Sequence, residues 1–234
     1  FFFQAEDGIR DFCLSRGLGD VYKRQVISLS VPQMMYGPQQ VIKRGGSCVL
    51  SMEVSRDFVR NFTFVAGPLV LFSYGFALSR IDDGAALWGG IPDSWITYIV
   101  PFMLLAAAGF LIYWWVALFQ IDAKVVDSFR WPWGESDGNG ANRLLMAYAL
   151  FLIPSMFWID STIFHMNNSY SWTPFLVVAI LALASVGNIL LMMIAYGAWQ
   201  DGVDGSGLML IGSIFLGIQV IINDLIVWSA KFPW

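Results

Sequence analysis

Five stretches of this chain are apolar for long enough to cross a bilayer: Phe62–Ser79, Ile96–Phe119, Leu144–Phe164, Pro174–Trp199 and Gly207–Trp228. At 1.5 Å of helical rise per residue, ~20 residues cover the ~30 Å hydrocarbon layer, and some of these stretches exceed that and can tilt. A soluble core could bury one such run, but not five in succession. The class expected is all-α: a polytopic membrane protein built as a single bundle of five transmembrane helices, because every backbone polar group in lipid must be satisfied within the segment. A mean hydropathy of +0.63, with 57% hydrophobic and 13% charged residues, agrees.

The first sixty residues differ in kind. Phe1–Gln25 shows no sustained period and resembles translated read-through of a sequencing adapter, closely in Phe1–Asp11 and Gly19–Gln25, as seen at the ends of assembled metagenomic genes. We expect it to be an artefactual leader. Residues 26–60 also read as aperiodic, either disordered or upstream of a true start at Met52, and 61–234 as the five-helix domain. Both cysteines, Cys13 and Cys48, precede Met52. From Met52 onward there are seven Lys and Arg against thirteen Asp and Glu, a net of −6, so the membrane portion is acidic and offers no footprint for nucleic acid.

Orientation follows the basic residues beside the spans. With the N-terminus inside, Arg56, Arg60, Lys124, Arg130 and Arg143 face inward, and Arg80 and Lys231 face outward. N-inside, C-outside is therefore the expected topology. The host membrane is not encoded in these features. The one long connection, Gln120–Arg143, holds the tract from Glu135 to Gly140, which opens like a calcium loop; Glu leads where Asp is usual, and Met146 sits where a bidentate Glu is needed. Asn167-Asn168-Ser169 matches a glycosylation acceptor on the expected outer side.

Chemistry-bearing residues are few. His165 is the single histidine, and no cysteine follows Met52, so neither a metal site nor a bound cofactor is expected from one chain. No nucleophile stands with a base at a recognisable spacing, and no catalytic residue is expected. Asp160 and Asp224 are sharper observations, since a carboxylate inside a span usually faces a partner or a cavity. Each lies four residues before the outer boundary of its span, and the two spans run the same way, so both sit ~6 Å below the outer edge. Ser161 beside the first, and Asn223 and Gln219 near the second, complete a candidate polar site for a small solute, a proton or an ion. The same five side chains could equally be structural, bonding to neighbouring helices. Asn188, with Ala184, Gly187 and Ala195 nearby, and the Ser213/Gly217 pair read as close helix packing. Pro68, Pro101 and Pro154 fall inside spans and are expected to kink them.

Trp95, Trp172, Trp199 and Trp228 fall at span ends, as an interfacial belt requires. Trp95, Trp114 and Trp158 are the candidates for lining an apolar ligand. The order Pro92-Asp93-Ser94-Trp95, then Gly109, then Trp114-Trp115 resembles the second helix of the tryptophan-rich sensory protein and translocator family, whose members are five-helix membrane proteins. Trp158, Ser161 and Phe164 echo that family's third helix without its asparagine, and Asn223 is similar in place to an asparagine of its fifth. The loop before span two lacks paired prolines, and the two intramembrane aspartates lie outside the pattern. The resemblance implies binding of an apolar or tetrapyrrole-like ligand between helices, for sensing or transport. Three functional readings are open: a polar-site transporter, a ligand-binding sensor of the translocator type, and a structural subunit of a membrane complex. The partners expected are the lipid bilayer, a small apolar ligand or an ion, and a second copy or another membrane subunit.

Overall fold

The computed structural model describes residues 54–234; the leader, both cysteines and Met52 lie outside the described residues. Five helices in it are long and apolar enough to cross a membrane, spanning Arg56–Leu78, Asp93–Gln120, Gly140–Asn168, Thr173–Gln200 and Ser206–Lys231. At 23 to 29 residues each, they reach ~35–43 Å, enough for the hydrocarbon layer and part of the headgroup region.

The first helix, α1 (Arg56–Leu78), begins six residues ahead of the apolar run. Ser55 causes this: its hydroxyl accepts from the Phe58 N–H at 3.2 Å, and Asp57 sits in the first turn against the positive end of the helix dipole. Residues 56–60, expected to be aperiodic, are therefore helical. A 3-10 turn (Gly84–Trp88) leads to α2 (Asp93–Trp115), which continues as a π-helical turn over Val116–Gln120. A short α3 (Ala123–Asp127) lies in the long connection. The third span is two helices, α4 (Gly140–Ser155) and α5 (Trp158–Asn168). Pro154 has no N–H to give the preceding turn, and the chain passes through Met156 and Phe157 before helix resumes. Pro68 and Pro101 do not interrupt α1 and α2, which run through both. The fourth span is α6 (Thr173–Gln200), with Pro174 in its first turn. The fifth is α7 (Ser206–Gly217), capped by Gly205 at φ +84°; it runs on as an eleven-residue π-helical segment, Ile218–Trp228, and closes with α8 (Ser229–Lys231).

Small residues set the helix spacing. Gly109 of α2 and Gly212 of α7 face each other, so close that a Cβ on Gly109 would stand 2.5 Å from the Gly212 carbonyl oxygen. Gly187 of α6 lies against the α4 backbone at Leu150 and Phe151. In lipid the hydrophobic drive between helices is absent, and backbone approach of this kind supplies the dispersion that holds them. Asn188 is fully buried between α6 and α7, where its amide reaches the Ser213 carbonyl and the Gly217 N–H at 3.2 Å each. Tyr113 donates to the Leu191 carbonyl at 3.0 Å inside a core that also holds Leu144, Tyr148, Ile194 and Met209. On the outside, Phe175, Leu71, Phe72 and Leu104 are exposed by 79, 73, 69 and 69%. Such a belt is what lipid solvates and water does not.

Arginines fasten one end of the bundle. Arg56 donates to the Ile121 carbonyl at 2.7 Å; Arg130 pairs with Asp201 and donates to the Gly134 carbonyl; Arg143 bonds Asp137 and the Phe129 carbonyl. Hydrogen bonds from Arg143 and from the Asn139 N–H hold the Asp137 carboxyl well below the usual carboxylate range, while the Asp201 hydrogen bond raises Arg130. Asp137 is thus committed to Arg143 within the tract that opens like a calcium loop. Arg80 and Lys231 lie at the opposite end.

Candidate functional site

An apolar chamber of about 460 Å³ lies between the first three spans, with Leu216 of the fifth at its back, and opens outward past the exposed side chains of Phe64, Leu71 and Leu111. Phe64, Gly67 and Tyr74 of α1, Phe110 and Trp114 of α2 and Ser155 at the end of α4 are among its walls. Its size falls in the range of ~300–1,000 Å³ for small-molecule sites. Local sequence explains the room: Gly67 has no side chain and nothing stands within 4 Å of where one would begin, and Ala106 and Ala107 contribute only methyl groups opposite. Trp114 is fixed at the chamber wall by its indole N–H, which donates to the Thr63 hydroxyl at 2.8 Å, and by edge-on contact with Phe64 at 5.2 Å. An indole so held presents a rigid apolar face.

A second, smaller cavity of about 70 Å³ adjoins the chamber. Tyr74, Phe151 and Ser155 line both. Trp158 and Asp224 complete its polar wall, with Ile180, Leu181, Ala184 and Val220 as the apolar remainder. Asp224 lies in the π-helical segment, and that geometry matters. Hydrogen bonding from i to i+5 brings residues five apart into register, and the Gln219 side-chain amide donates to Asp224 Oδ1 at 2.8 Å. Asn223 in turn donates to Gln219 Oε1 at 3.0 Å. The Ser185 hydroxyl of α6 reaches the Val220 carbonyl of the same segment at 3.4 Å. Trp158 contacts Trp228 edge-on at 5.7 Å and Tyr74 at 6.2 Å, and its indole N–H is buried with no hydrogen-bond partner.

Asp160 is elsewhere. It forms an ion pair with Arg80, which also lies over the Phe76 ring at 4.4 Å, and both charged groups line an open cleft with Phe164, Asn167, Leu176 and Ile180. The two carboxylates therefore belong to different cavities. Ser161 shares the Asp160 cleft, but its hydroxyl donates to the Trp158 carbonyl at 2.8 Å. Trp95 is exposed near the far end of the bundle, where Lys231 stands 5.5 Å from its ring, and it does not line the chamber. Of the residues singled out from sequence, the structure brings together Asp224, Asn223 and Gln219 in one hydrogen-bonded row, places Trp158 beside Asp224, and sets Trp114 in the adjoining chamber.

Residues the sequence reading passed over are Phe64, Gly67, Tyr74, Phe110 and Ser155. Tyr74 and Ser155 carried a usable signal, being polar groups inside otherwise apolar runs. His165, the single histidine, is buried, with Nδ1 2.7 Å from the Thr173 hydroxyl. Among the described residues no cluster of His, Cys, Asp and Glu could hold a metal ion.

No protein-family model, no curated protein and no solved structure matches this chain.

Proposed function

We propose that this integral membrane protein binds a small apolar molecule in the chamber between its first three spans, taking it from the surrounding lipid as a sensor or carrier. The chamber itself carries this reading: an apolar recess of about 460 Å³ open to the lipid, lined in part by Phe64, Tyr74, Phe110, Trp114 and Phe151 and given room by Gly67, in a bundle that elsewhere brings helices into glycine-to-backbone contact. The translocator-family resemblance, which implies an apolar ligand between helices, supports the same reading at Trp114. Transport through a shared carboxylate site draws less support, because Asp160 is paired with Arg80 and lines a different cavity from Asp224.

Gly67 supplies the test. A leucine there projects into open space rather than into a neighbour, so Gly67→Leu fills the chamber while leaving the fold intact. Saturable binding of dodecan-1-ol to the protein in phosphatidylcholine nanodiscs, with empty discs subtracted, is expected to weaken at least tenfold in the variant. Equal binding by both proteins, or no saturable component in the wild type, would remove the basis of the proposal.

A further inference from the structure

Among the described residues Asp224 is the one carboxyl beside the chamber, and none of them supplies it with a countercharge. Among the described residues the ion pairs join Arg56 and Arg60 to Asp57, Arg80 to Asp160, Arg130 to Asp201 and Arg143 to Asp137; none involves Asp224. Neither the chamber nor the smaller cavity has Lys, Arg or His in its lining. Among the described residues the only polar partner of the Asp224 side chain is the neutral Gln219 amide, on Oδ1. A carboxyl at membrane depth normally pairs with a cation, a backbone group or a water-filled space. Here no pairing cation is found among the described residues, and two aromatic rings, Tyr74 and Trp158, share the cavity wall with the carboxyl.

We infer that the Asp224 cavity receives the protonated amine head of an amphiphile whose apolar body occupies the chamber. This rests on the chamber being a binding site and adds the class of molecule. The dimensions fit: about 70 Å³ accommodates a small head and not a chain, while the chamber next to it accommodates a chain or ring system. Three shared wall residues, Tyr74, Phe151 and Ser155, put head and body within one molecule's reach. The chemistry fits as well. Amine and carboxyl share one proton between them, so the couple is neutral overall and suits an apolar surrounding. The ring faces of Tyr74 and Trp158 add attraction for a cation. The unpartnered Trp158 indole N–H takes an acceptor that accompanies the head, a hydroxyl or a water.

The test compares two probes of equal chain length, N,N-dimethyldodecylamine and dodecan-1-ol, on the full chain in phosphatidylcholine nanodiscs at neutral pH, with empty discs subtracted. The wild type is expected to bind the amine at least tenfold more tightly than the alcohol. Asp224→Asn is expected to abolish that preference while keeping alcohol affinity within about twofold, which also shows that the variant is folded. Asp224→Glu is expected to retain the preference. Equal affinities in the wild type would overturn the amine assignment while leaving apolar binding in place; loss of saturable binding for both probes in the wild type would overturn the two together. A preference that survives Asp224→Asn would overturn the role of Asp224. Carbodiimide labelling of Asp224 in the unmodified protein, followed by peptide mass analysis, gives a check without a variant: the tertiary amine, which cannot form an amide, should protect Asp224 and the alcohol should not. Labelling unaffected by the amine would overturn the inference.

Discussion

Replacing Gly109 by alanine tests whether glycine contact sets the spacing between α2 and α7. The new methyl group would meet the Gly212 carbonyl oxygen at 2.5 Å, whereas ordinary contact begins near 3.4 Å, so the helices must separate by several tenths of an ångström. A gap of 0.5–1 Å forfeits a quarter to a half of the dispersion at each affected atom pair, and overpacking of a filled core typically costs ~1–3 kcal/mol. Alanine returns up to ~1 kcal/mol through its higher helix propensity. The net expectation is a loss of about 1–2 kcal/mol. Gly67→Ala is the matched control, because nothing stands within 4 Å of its new methyl group; only the propensity term remains, and stability should be unchanged or rise by up to ~1 kcal/mol. Gly212→Ala should resemble Gly109→Ala, and the double variant should lose less than the sum, since one separation of the helices relieves both contacts. Unfolding in mixed micelles of rising SDS fraction, followed by circular dichroism, measures the four variants against the wild type. If Gly109→Ala proves as stable as Gly67→Ala, close approach is not what holds these helices.

Other outcomes follow from individual contacts. Tyr113→Phe removes the donor to the Leu191 carbonyl in a buried setting and should destabilise by ~1–3 kcal/mol in the same unfolding assay, since the carbonyl is left unpaired. Trp114→Phe breaks the indole bond to Thr63 and frees the chamber wall, so dodecan-1-ol affinity should fall several-fold in a nanodisc titration; an unchanged affinity would mean that ring orientation is irrelevant to the chamber. For Asp137, Arg143 holds the folded carboxyl below its ordinary value, so its contribution is complete above the unfolded value near ~3.9 and fades as pH falls through the lower, folded one. The melting difference between wild type and Asp137→Asn should therefore stay constant from neutral pH to about 4 and shrink below it; a difference that changes between pH 7 and 5 would contradict the assignment.

The membrane class was legible because it depends on length and hydropathy alone, which the sequence displays directly. Helix starts were less so: the Ser55 cap moved α1 upstream of its apolar run, a local hydrogen bond that hydropathy does not register. Prolines divided in outcome, with Pro154 ending a helix and Pro68 and Pro101 carried within theirs. Whether a freed carbonyl is tolerated depends on neighbours that only tertiary structure supplies. The Asp224 row was partly visible as clustered polar residues, but the π-helical register that lets Gln219 reach Asp224 across five positions was not, since the apolar pattern there fits a 3.6-residue period too. Equal depth in two spans did not bring Asp160 and Asp224 into one cavity: Arg80, in the turn just past α1, engages Asp160, and that pairing joins residues eighty positions apart. Chamber walls were least legible, because Phe64, Gly67 and Phe110 look like any lipid-facing residues until their rotation about the helix axis is known.

Photolabelling with a diazirine-bearing dodecyl alcohol in nanodiscs, mapped by peptide mass analysis, tests apolar binding in the chamber most directly. Adducts are expected on Phe64, Tyr74, Phe110 and Trp114, and excess dodecan-1-ol should compete them away, while labelling of the lipid-facing Phe175 and Leu208 should not be competed. Chamber labelling that excess alcohol leaves untouched, or adducts confined to the lipid-facing positions, would contradict the account.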